Sequence, residues 1–426
     1  MNYMRIHQRV PSSRCTNIVR LYAACFLLLC AAKSALYAEQ MHSPAWGYSL
    51  DMPEGFRLTY KQAETSYQFE HDLFPVTLII RSWPETVPSG EKMRDALKKL
   101  KAEGETEDII WRARTCTVCV FDMPAKTGLH KGWAVCVPQD EEKGITLILG
   151  YAPEAHFAQA EALIVSALDS FSPQIANPDT SGIMTSFAYP KQGPRYANLT
   201  IGTAEIPVVF DLADSEAHNA LIEREYNILT LFAGTPLQKK AWQRYYRMIY
   251  RDAYKRLEKA AFTIYNVLEA EITPPPDKKM SAENASIRTK NTVIQTKKTG
   301  AQAEKDRALA QKLLSWTQTL PYERRRTASD FTGLIDTLSG TGSDCDSRAL
   351  LLAVLMSHMN YNTMLFISPH FSHAFFGIDI EGKGARLEQD GTNYLLGETT
   401  AQIDLGLVPQ DMSDSTKWFG IEGLGK

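Results

Sequence analysis

A cysteine, a histidine and a carboxylate in the carboxyl-terminal quarter of the chain are the residues best suited to chemistry. Cys345 follows the turn-like stretch Gly340-Thr-Gly-Ser-Asp and opens an apolar run typical of a buried helix. His373 begins a predicted strand, and Glu398 ends another. A helix N-terminus favours a thiolate, a histidine can take the thiol proton, and an acid can orient the histidine. These residue types predict a nucleophilic triad of Cys345, His373 and Glu398.

Neighbouring acids leave alternatives open. Asp344 or Ser343 can cap the helix, because their side-chain oxygens accept bonds from the first backbone N–H groups. We expect Asp346 to serve as a cap or a loop partner too, and Asp390 is a rival to Glu398. A cysteine at a helix start, taken alone, is more often simply a small buried residue.

The flanking residues resemble the transglutaminase-like (papain-like fold) cysteine protease superfamily, in its bacterial exported form, over about residues 305–410. A Gly-rich turn before Cys-Asp, a His-Ala strand, and a Tyr-containing strand that ends in an acid followed by Thr occur in the family's order. The stretch 314–322 is similar to the family's lead-in helix, which ends at Pro-Tyr. Two features depart from the usual pattern: Glu398 stands where Asp is commoner, and Ser347-Arg348 follows the nucleophile.

The resemblance implies a papain-like fold and a covalent mechanism through a thioester. An oxyanion in that mechanism needs hydrogen-bond donors. The Cys345 backbone N–H is one candidate, and Gln318 or Trp316 is the candidate for the other. The implied activity is that of an exported cysteine hydrolase, a peptidase or amidase acting on a peptide or protein amide in the cell envelope. The alternatives are a catalytically silent envelope binding or scaffold protein, and a protein-glutamine amine transferase.

The first 38 residues predict a signal peptide. Four arginines precede the apolar run 21–32, which at about 12 residues is too short to span a bilayer. Small residues near Ala38 allow cleavage. The sequence therefore predicts a periplasmic or otherwise exported protein, with Cys25 and Cys30 leaving a lipid anchor as an alternative.

Composition predicts an ordinary globular protein of two to four domains. The 426 residues are 44% hydrophobic and 22% charged, with a net charge of −3. No basic footprint points to a nucleic acid. No Cys/His cluster has the spacing of zinc ligands, so we expect neither a metal nor a cofactor.

Periodicity predicts an α+β multidomain chain: an N-terminal antiparallel sheet with helices, a helical middle region and a C-terminal papain-like domain. We expect a sheet domain at 40–175, which loosely resembles small exported domains of the PsbP/Mog1-like type. Short strands and a long helical hairpin follow at 176–276. A polar linker is expected at 277–304, before the transglutaminase-like domain at 305–426.

Two groups of side chains have more than one interpretation. The predicted helix 236–270 carries basic residues off its apolar stripe, either as a solvated face paired with acids or as a surface for a membrane or envelope partner; they are Arg244, Arg247, Arg251, Lys255 and Arg256. Cys116, Cys119 and Cys136 lie in predicted strands. Either Cys136 forms a cross-strand disulfide with Cys119 or Cys116, or all three are buried thiols. The C-x-x-C spacing of the first two lacks the helix start that redox chemistry needs.

Overall fold

The computed structural model describes residues 40–139, 143–175, 179–272, 300–323 and 329–424. The predicted signal peptide at 1–38 and most of the predicted linker at 277–304 lie outside these residues. The described residues belong to one compact unit. No helix within the described ranges is both long enough and apolar enough to cross a membrane.

The N-terminal region is an antiparallel sheet of seven strands with helices packed on it, as the alternating sequence predicts. The strand order is β3-β4-β5-β9-β8-β7-β6, beside a short β1-β2 hairpin. Two helices, α1 (Ser89–Leu100) and α2 (Glu154–Asp169), contribute side chains to two separate cores on the sheet. The strands are β1 (Gln40–Ser43), β2 (Tyr48–Asp51), β3 (Phe56–Gln62), β4 (Ser66–His71), β5 (Thr77–Trp83), β6 (Glu103–Trp111), β7 (Arg114–Ala125), β8 (Gly128–Pro138) and β9 (Ile145–Pro153).

Sequence periodicity predicts one strand over residues 109–121 and a helix that stops at Gly104, and both predictions are wrong. The single strand expected at 109–121 is a hairpin whose turn residues, Arg112 and Ala113, have φ of 51° and 60°. Helix α1 ends at Leu100, where Lys101 takes the left-handed conformation expected of Gly104. Gly104 instead lies in β6, where a Cβ atom would come within 2.5 Å of the Val120 carbonyl oxygen.

The remaining chain combines helices with a second sheet. Strands β10 (Pro194–Ile201) and β11 (Ala204–Asp211) form the predicted hairpin around Gly202. The helices are α3 (Ile183–Ala188), α4 (Asp214–Thr230), α5 (Gln238–Ile272), α6 (Gly300–Thr317), α7 (Leu334–Leu338) and α8 (Cys345–His358). The second sheet has the order β14-β15-β13-β12-β16 and consists of β12 (Thr363–Ser368), β13 (His373–Ile378), β14 (Arg386–Gln389), β15 (Thr392–Gly397) and β16 (Phe419–Gly420).

One hydrophobic core joins the middle region to the carboxyl-terminal region. Side chains of α4, α5 and the β10-β11 hairpin pack in the same cluster as those of α6, α8, β12 and β13. The expected boundary between 176–276 and 305–426 therefore does not separate two cores. Helix α8 lies against α5 as well as against the sheet, so α5 is part of the scaffold that positions Cys345.

The basic residues of α5 are mostly buried, and most pair with acids. The pairing with acids expected for helix 236–270 is thus observed, but the expected solvated face is not. Arg244 is 2% exposed and donates to the Glu225 carboxylate at 2.6 Å, to Ser166 and to the Asp51 carbonyl. Arg247 makes two bonds to the Asp51 carboxylate, at 2.8 and 2.9 Å. These residues fasten α5 to the N-terminal sheet region and to α4.

The next turns of α5 continue this pattern. Arg251 donates to the carbonyls of Ser170, Phe171 and Thr180. Arg256 bonds to Asp252 and Asp214. Among the five basic residues that sequence analysis placed off the apolar stripe, only Lys255 has the expected solvated position, where it pairs with Glu258.

Glu54 beside this network should make stability depend on pH. Burial raises its pKa from 4.5 to about 7, against the opposing charge of Arg244. A carboxyl group whose folded pKa is raised favours the folded state while protonated, and that advantage is lost as pH rises through the folded value. As pH rises from about 5 to about 8, we expect the unfolding free energy of wild type to fall by about 1–3 kcal/mol relative to that of Glu54→Gln, which cannot ionise at this position. Urea unfolding of both proteins at both pH values measures this change. If the two proteins differ in unfolding free energy by the same amount at both pH values, the prediction is contradicted.

Candidate active site

The loop before α8 places Cys345 at the first residue of the helix. Gly340 and Gly342 have φ of 75° and 144°, values that L side chains rarely adopt. Asp344 is the N-cap: its Oδ1 accepts from the Ser347 backbone N–H at 2.7 Å, while the Ser347 hydroxyl accepts from the Asp344 N–H. Thr332 donates its N–H to the other Asp344 oxygen at 2.8 Å. The predicted cap at Asp344 is confirmed, and it fixes the position of Cys345.

His373 and Glu398 are in direct contact. His373 begins β13, and Glu398 follows β15, which pairs antiparallel with β13 through Phe376 and Gly397. Nε2 of His373 lies 2.6 Å from Oε2 of Glu398. Because an ionised carboxylate only accepts hydrogen bonds, the proton lies on Nε2, and Nδ1 is the nitrogen able to act as a base.

The environment of Glu398 favours its ionised form. Burial acts to raise its pKa, but the bonds from His373 and Thr400 overcome that effect and hold the pKa below its usual value. Thr400 donates both its N–H and its hydroxyl to Oε1 at 2.6 Å. With both oxygens bonded and 1% of the residue exposed, Glu398 is held in one orientation.

Cys345 is connected to this pair through the residue next to the acid. The Thr399 hydroxyl donates to the Cys345 carbonyl at 3.5 Å. The thiol donates to Oδ1 of Asp346 at 3.1 Å, and the Tyr246 hydroxyl of α5 donates to the other oxygen of the same carboxylate. Cys345 is 2% exposed. Asp346 is thus a partner of the thiol, where sequence analysis expected a cap or a loop bond.

Arg348 ties three segments of the site together. Its guanidinium donates to the Ser343 hydroxyl at 2.7 Å, to the Thr399 carbonyl at 2.9 Å and to the Leu320 carbonyl. It is 2% exposed, and burial lowers its pKa. Its charge interacts favourably with negative charge on Cys345 and Glu398. A buried cation at this position stabilises a thiolate relative to a thiol.

One oxyanion candidate and the rival acid are not in suitable positions. The Gln318 amide donates to the carbonyls of Glu398 and Ile403, both at 2.8 Å, so both of its N–H groups are engaged. Its role is to hold the loop after the acid. Asp390 lies in the β14-β15 turn and bonds to Gln389. Because β13 and β15 are antiparallel, that turn lies at the opposite end of the sheet from His373.

Trp316 stays an oxyanion candidate without further support. It is 6% exposed and packs in the core formed by α6, α8 and the second sheet. Among the described residues, no group of three or more His, Cys, Asp or Glu side chains could hold a metal ion.

The other three described cysteines are buried free thiols, one of the two alternatives considered from sequence. Cys116 faces one core of the N-terminal sheet, whereas Cys119 and Cys136 face the other. Burial raises the pKa of Cys116 to about 12 and that of Cys119 to about 11, and it raises the pKa of Cys136 as well. These thiols therefore resist ionisation at neutral pH.

Sequence reasoning missed the positions of two site residues. Tyr246 falls on the apolar stripe of the predicted helix 236–270, and nothing local indicates that its hydroxyl reaches a residue 100 positions away. Arg348 was noted only as a departure from the family pattern. Arg348 lies one turn after the nucleophile on an apolar helix that is expected to be buried. Because a buried arginine needs several acceptors, this position indicates that Arg348 bonds to neighbouring segments of the site.

The described residues define a mixed α/β protein with an N-terminal antiparallel sheet and helices. No protein-family model matches the chain. No curated protein matches it either.

Several solved structures match parts of the chain weakly. Cyanobacterial PsbP (CyanoP) from Synechocystis sp. PCC 6803 is 11% identical, covering 33% of this chain and 94% of its own, with a TM-score of 0.27. The Ran-binding protein Mog1p of Saccharomyces cerevisiae is 10% identical over 34% and 99%, with a TM-score of 0.26. LpqN of Mycobacterium tuberculosis is 11% identical over 31% and 88%, with a TM-score of 0.24. Scores this low carry no argument about fold or function, so the PsbP/Mog1-like resemblance stays a prediction.

Proposed function

We propose that this chain is a transglutaminase-like cysteine hydrolase, a peptidase or amidase, with Cys345 as nucleophile, His373 as base and Glu398 as the residue that orients the base. The observation that carries the proposal is the 2.6 Å contact between His373 Nε2 and the buried Glu398 carboxylate. It occurs on the sheet that packs against the helix beginning at Cys345. A buried acid that fixes the histidine tautomer can serve as the orienting member of a nucleophile–base triad.

In the proposed reaction, Nδ1 of His373 takes the proton from the Cys345 thiol. The thiolate attacks an amide carbonyl, the C–N bond breaks, and the amine leaves with the proton from His373. Water then attacks the thioester, giving up its proton to His373, and the acid is released. Arg348 and the helix N-terminus stabilise the negative sulfur, and Glu398 stabilises the imidazolium.

A second candidate function has one observation in its favour. Cys345 is 2% exposed, and its thiol donates to Asp346. An occluded thiol is what a catalytically silent envelope binding or scaffold protein with the same fold would have. Under the proposed hydrolase function the thiol must leave Asp346 before His373 can accept its proton.

Incubation with a proteome-derived peptide mixture distinguishes the two functions. We expect the chain to generate new peptide N-termini or to release ammonia, and we expect Cys345→Ala to lose both, because the thioester cannot form. A parallel incubation with an added primary amine detects amine transfer by the mass of the products. Identical peptide profiles for the two proteins would contradict the hydrolase and favour the binding protein.

The exported location belongs to the same proposal. It rests on the predicted signal peptide at 1–38, outside the described residues. A peptide or protein amide in the cell envelope is the substrate class that such a location offers.

A further inference from the structure

The side chain of Asp346 bridges the nucleophile helix and α5. One of its oxygens accepts the Cys345 thiol at 3.1 Å, and the other accepts the Tyr246 hydroxyl. Tyr246 is 1% exposed and packs among Trp242, Tyr245 and Phe331. Its hydroxyl is therefore held at Asp346 by rigid surroundings and is not a mobile surface group.

The proposed mechanism does not use this bridge and is opposed by it. A thiol that donates to a carboxylate keeps its proton, because the carboxylate stabilises the S–H form and repels the thiolate. The Tyr246 hydroxyl acts in the other direction, since its donation to the second oxygen makes the carboxylate a weaker acceptor. The two residues thus have opposite effects on the same thiol.

We propose that Asp346 and Tyr246 are positioning residues of the hydrolase: Asp346 holds the Cys345 thiol in a protonated resting position, and Tyr246 sets how firmly it is held. The inference rests on the proposed function. It also identifies α5 as the element that connects the N-terminal sheet region to the nucleophile. Tyr246 lies between Arg244 and Arg247, which bond to Glu225 and Asp51.

Other charged and titratable groups face the same thiol. On the nucleophile helix these are Asp344 and Arg348, and on α5 Tyr245 lies beside Tyr246. His373 lies on the second sheet, against which the nucleophile helix packs, and Glu398 bonds to it. Burial and the charge of Asp346 raise the pKa of Asp344 to about 7. Both Asp344 oxygens accept backbone N–H groups, of Ser347 and Thr332, so the Asp344 carboxyl group is held by the helix cap.

The test measures the rate at which iodoacetamide alkylates Cys345 across pH, resolved by mass spectrometry of the Cys345 peptide. Asp346→Asn removes the acceptor charge with little change of shape, and we expect about threefold to tenfold faster alkylation near neutral pH and a profile moved to lower pH. Tyr246→Phe strengthens the remaining carboxylate as an acceptor, and we expect severalfold slower alkylation and a profile moved to higher pH.

Tyr250→Phe is the matched control, because Tyr250 is a buried tyrosine one turn further along the same helix. Its profile should superimpose on the wild type. Asp346→Ala repeats the charge removal, so the carboxylate remains testable if Tyr246→Phe does not fold. The inference is overturned if the pH profiles of both Asp346 variants superimpose on that of wild type. It is also overturned if the Asp346 and Tyr246 variants shift the profile in the same direction.

The variant His373→Ala in the same assay separates this inference from the proposed function. If its rate equals that of wild type while the Asp346 and Tyr246 variants move as expected, the hydrolase is wrong and the positioning of the thiol stands. If His373→Ala slows alkylation and the Asp346 and Tyr246 variants alkylate at the wild-type rate, the positioning of the thiol is wrong and the proposed function stands.

Discussion

Replacing His373 with alanine is expected to slow alkylation of Cys345 by iodoacetamide about tenfold or more near neutral pH, because each unit of rise in thiol pKa lowers the thiolate fraction about tenfold. In the proposed mechanism the imidazole takes the thiol proton, and Glu398 contacts that imidazole at 2.6 Å. Glu398→Gln should slow alkylation less, since the base stays but loses the charge that stabilises the imidazolium. Site-resolved mass spectrometry at several pH values measures both effects.

His370→Ala is the matched control for this prediction. His370 lies three residues before His373, is exposed, and contacts the ring of Phe371 without touching Glu398. Its alkylation profile should equal that of wild type. If the His373 and His370 variants react alike, the histidine does not activate the thiol.

Replacing Arg244 with methionine is expected to lower the unfolding free energy by about 3 kcal/mol, because breaking a buried ion pair leaves the remaining charge less well compensated. The remaining charge is Glu225, which is 1% exposed and accepts a bond from Arg244 Nη1 at 2.6 Å. Glu225 would keep the bond from Arg224 at 3.0 Å. The Ser166 hydroxyl and the Asp51 carbonyl lose a donor as well. Urea unfolding followed by circular dichroism gives the value.

Lys255→Met provides the comparison on the same helix. The pair between Lys255 and Glu258 is about half exposed, with 58% and 49% of the two side chains accessible. Its loss should change the unfolding free energy by no more than about 0.5 kcal/mol. Adding Glu225→Gln to Arg244→Met should recover part of the loss. Equal effects of the two single variants would show that Arg244 is not the buried anchor described above.

The sequence predicted those parts of the site that depend on local features. Asp344 caps the helix, Cys345 begins it, and His373 and Glu398 end up bonded because their strands are neighbours in an antiparallel sheet. Residue type and strand order contain this information. The register that brings Glu398 rather than Asp390 to the histidine follows from the strands being antiparallel, so it too could be anticipated.

Burial of the second face of α5 could not be predicted from periodicity. A hydrophobic pattern detects an apolar stripe, and it treats arginines beside that stripe as solvated. Here the N-terminal region covers those arginines and supplies Asp51, and α4 supplies Glu225. Only a tertiary structure brings them together.

Turn chemistry accounts for the missed hairpin. Two-residue turns with positive φ favour Gly or Asn, and Arg112-Ala113 carries neither signal. Strands β6 and β7 pair along their whole length, from Glu103–Asp122 to Trp111–Arg114. This pairing stabilises the turn, although its two residues have no local preference for positive φ. The partners of Asp346 and Arg348 were missed for the same kind of reason, since they come from distant segments.

Acylation by p-nitrophenyl acetate tests the central claim most directly, because it requires no knowledge of the natural substrate. Attack by the Cys345 sulfur forms an acetyl thioester and releases p-nitrophenolate, and hydrolysis of the thioester restores the thiol. We expect a stoichiometric burst followed by turnover, with the acetyl group on Cys345 and not on the buried Cys116, Cys119 or Cys136. We expect neither burst nor turnover in Cys345→Ala. Acetylation confined to lysines, or equal release of p-nitrophenolate by the two proteins, would contradict the assignment of Cys345 as the nucleophile.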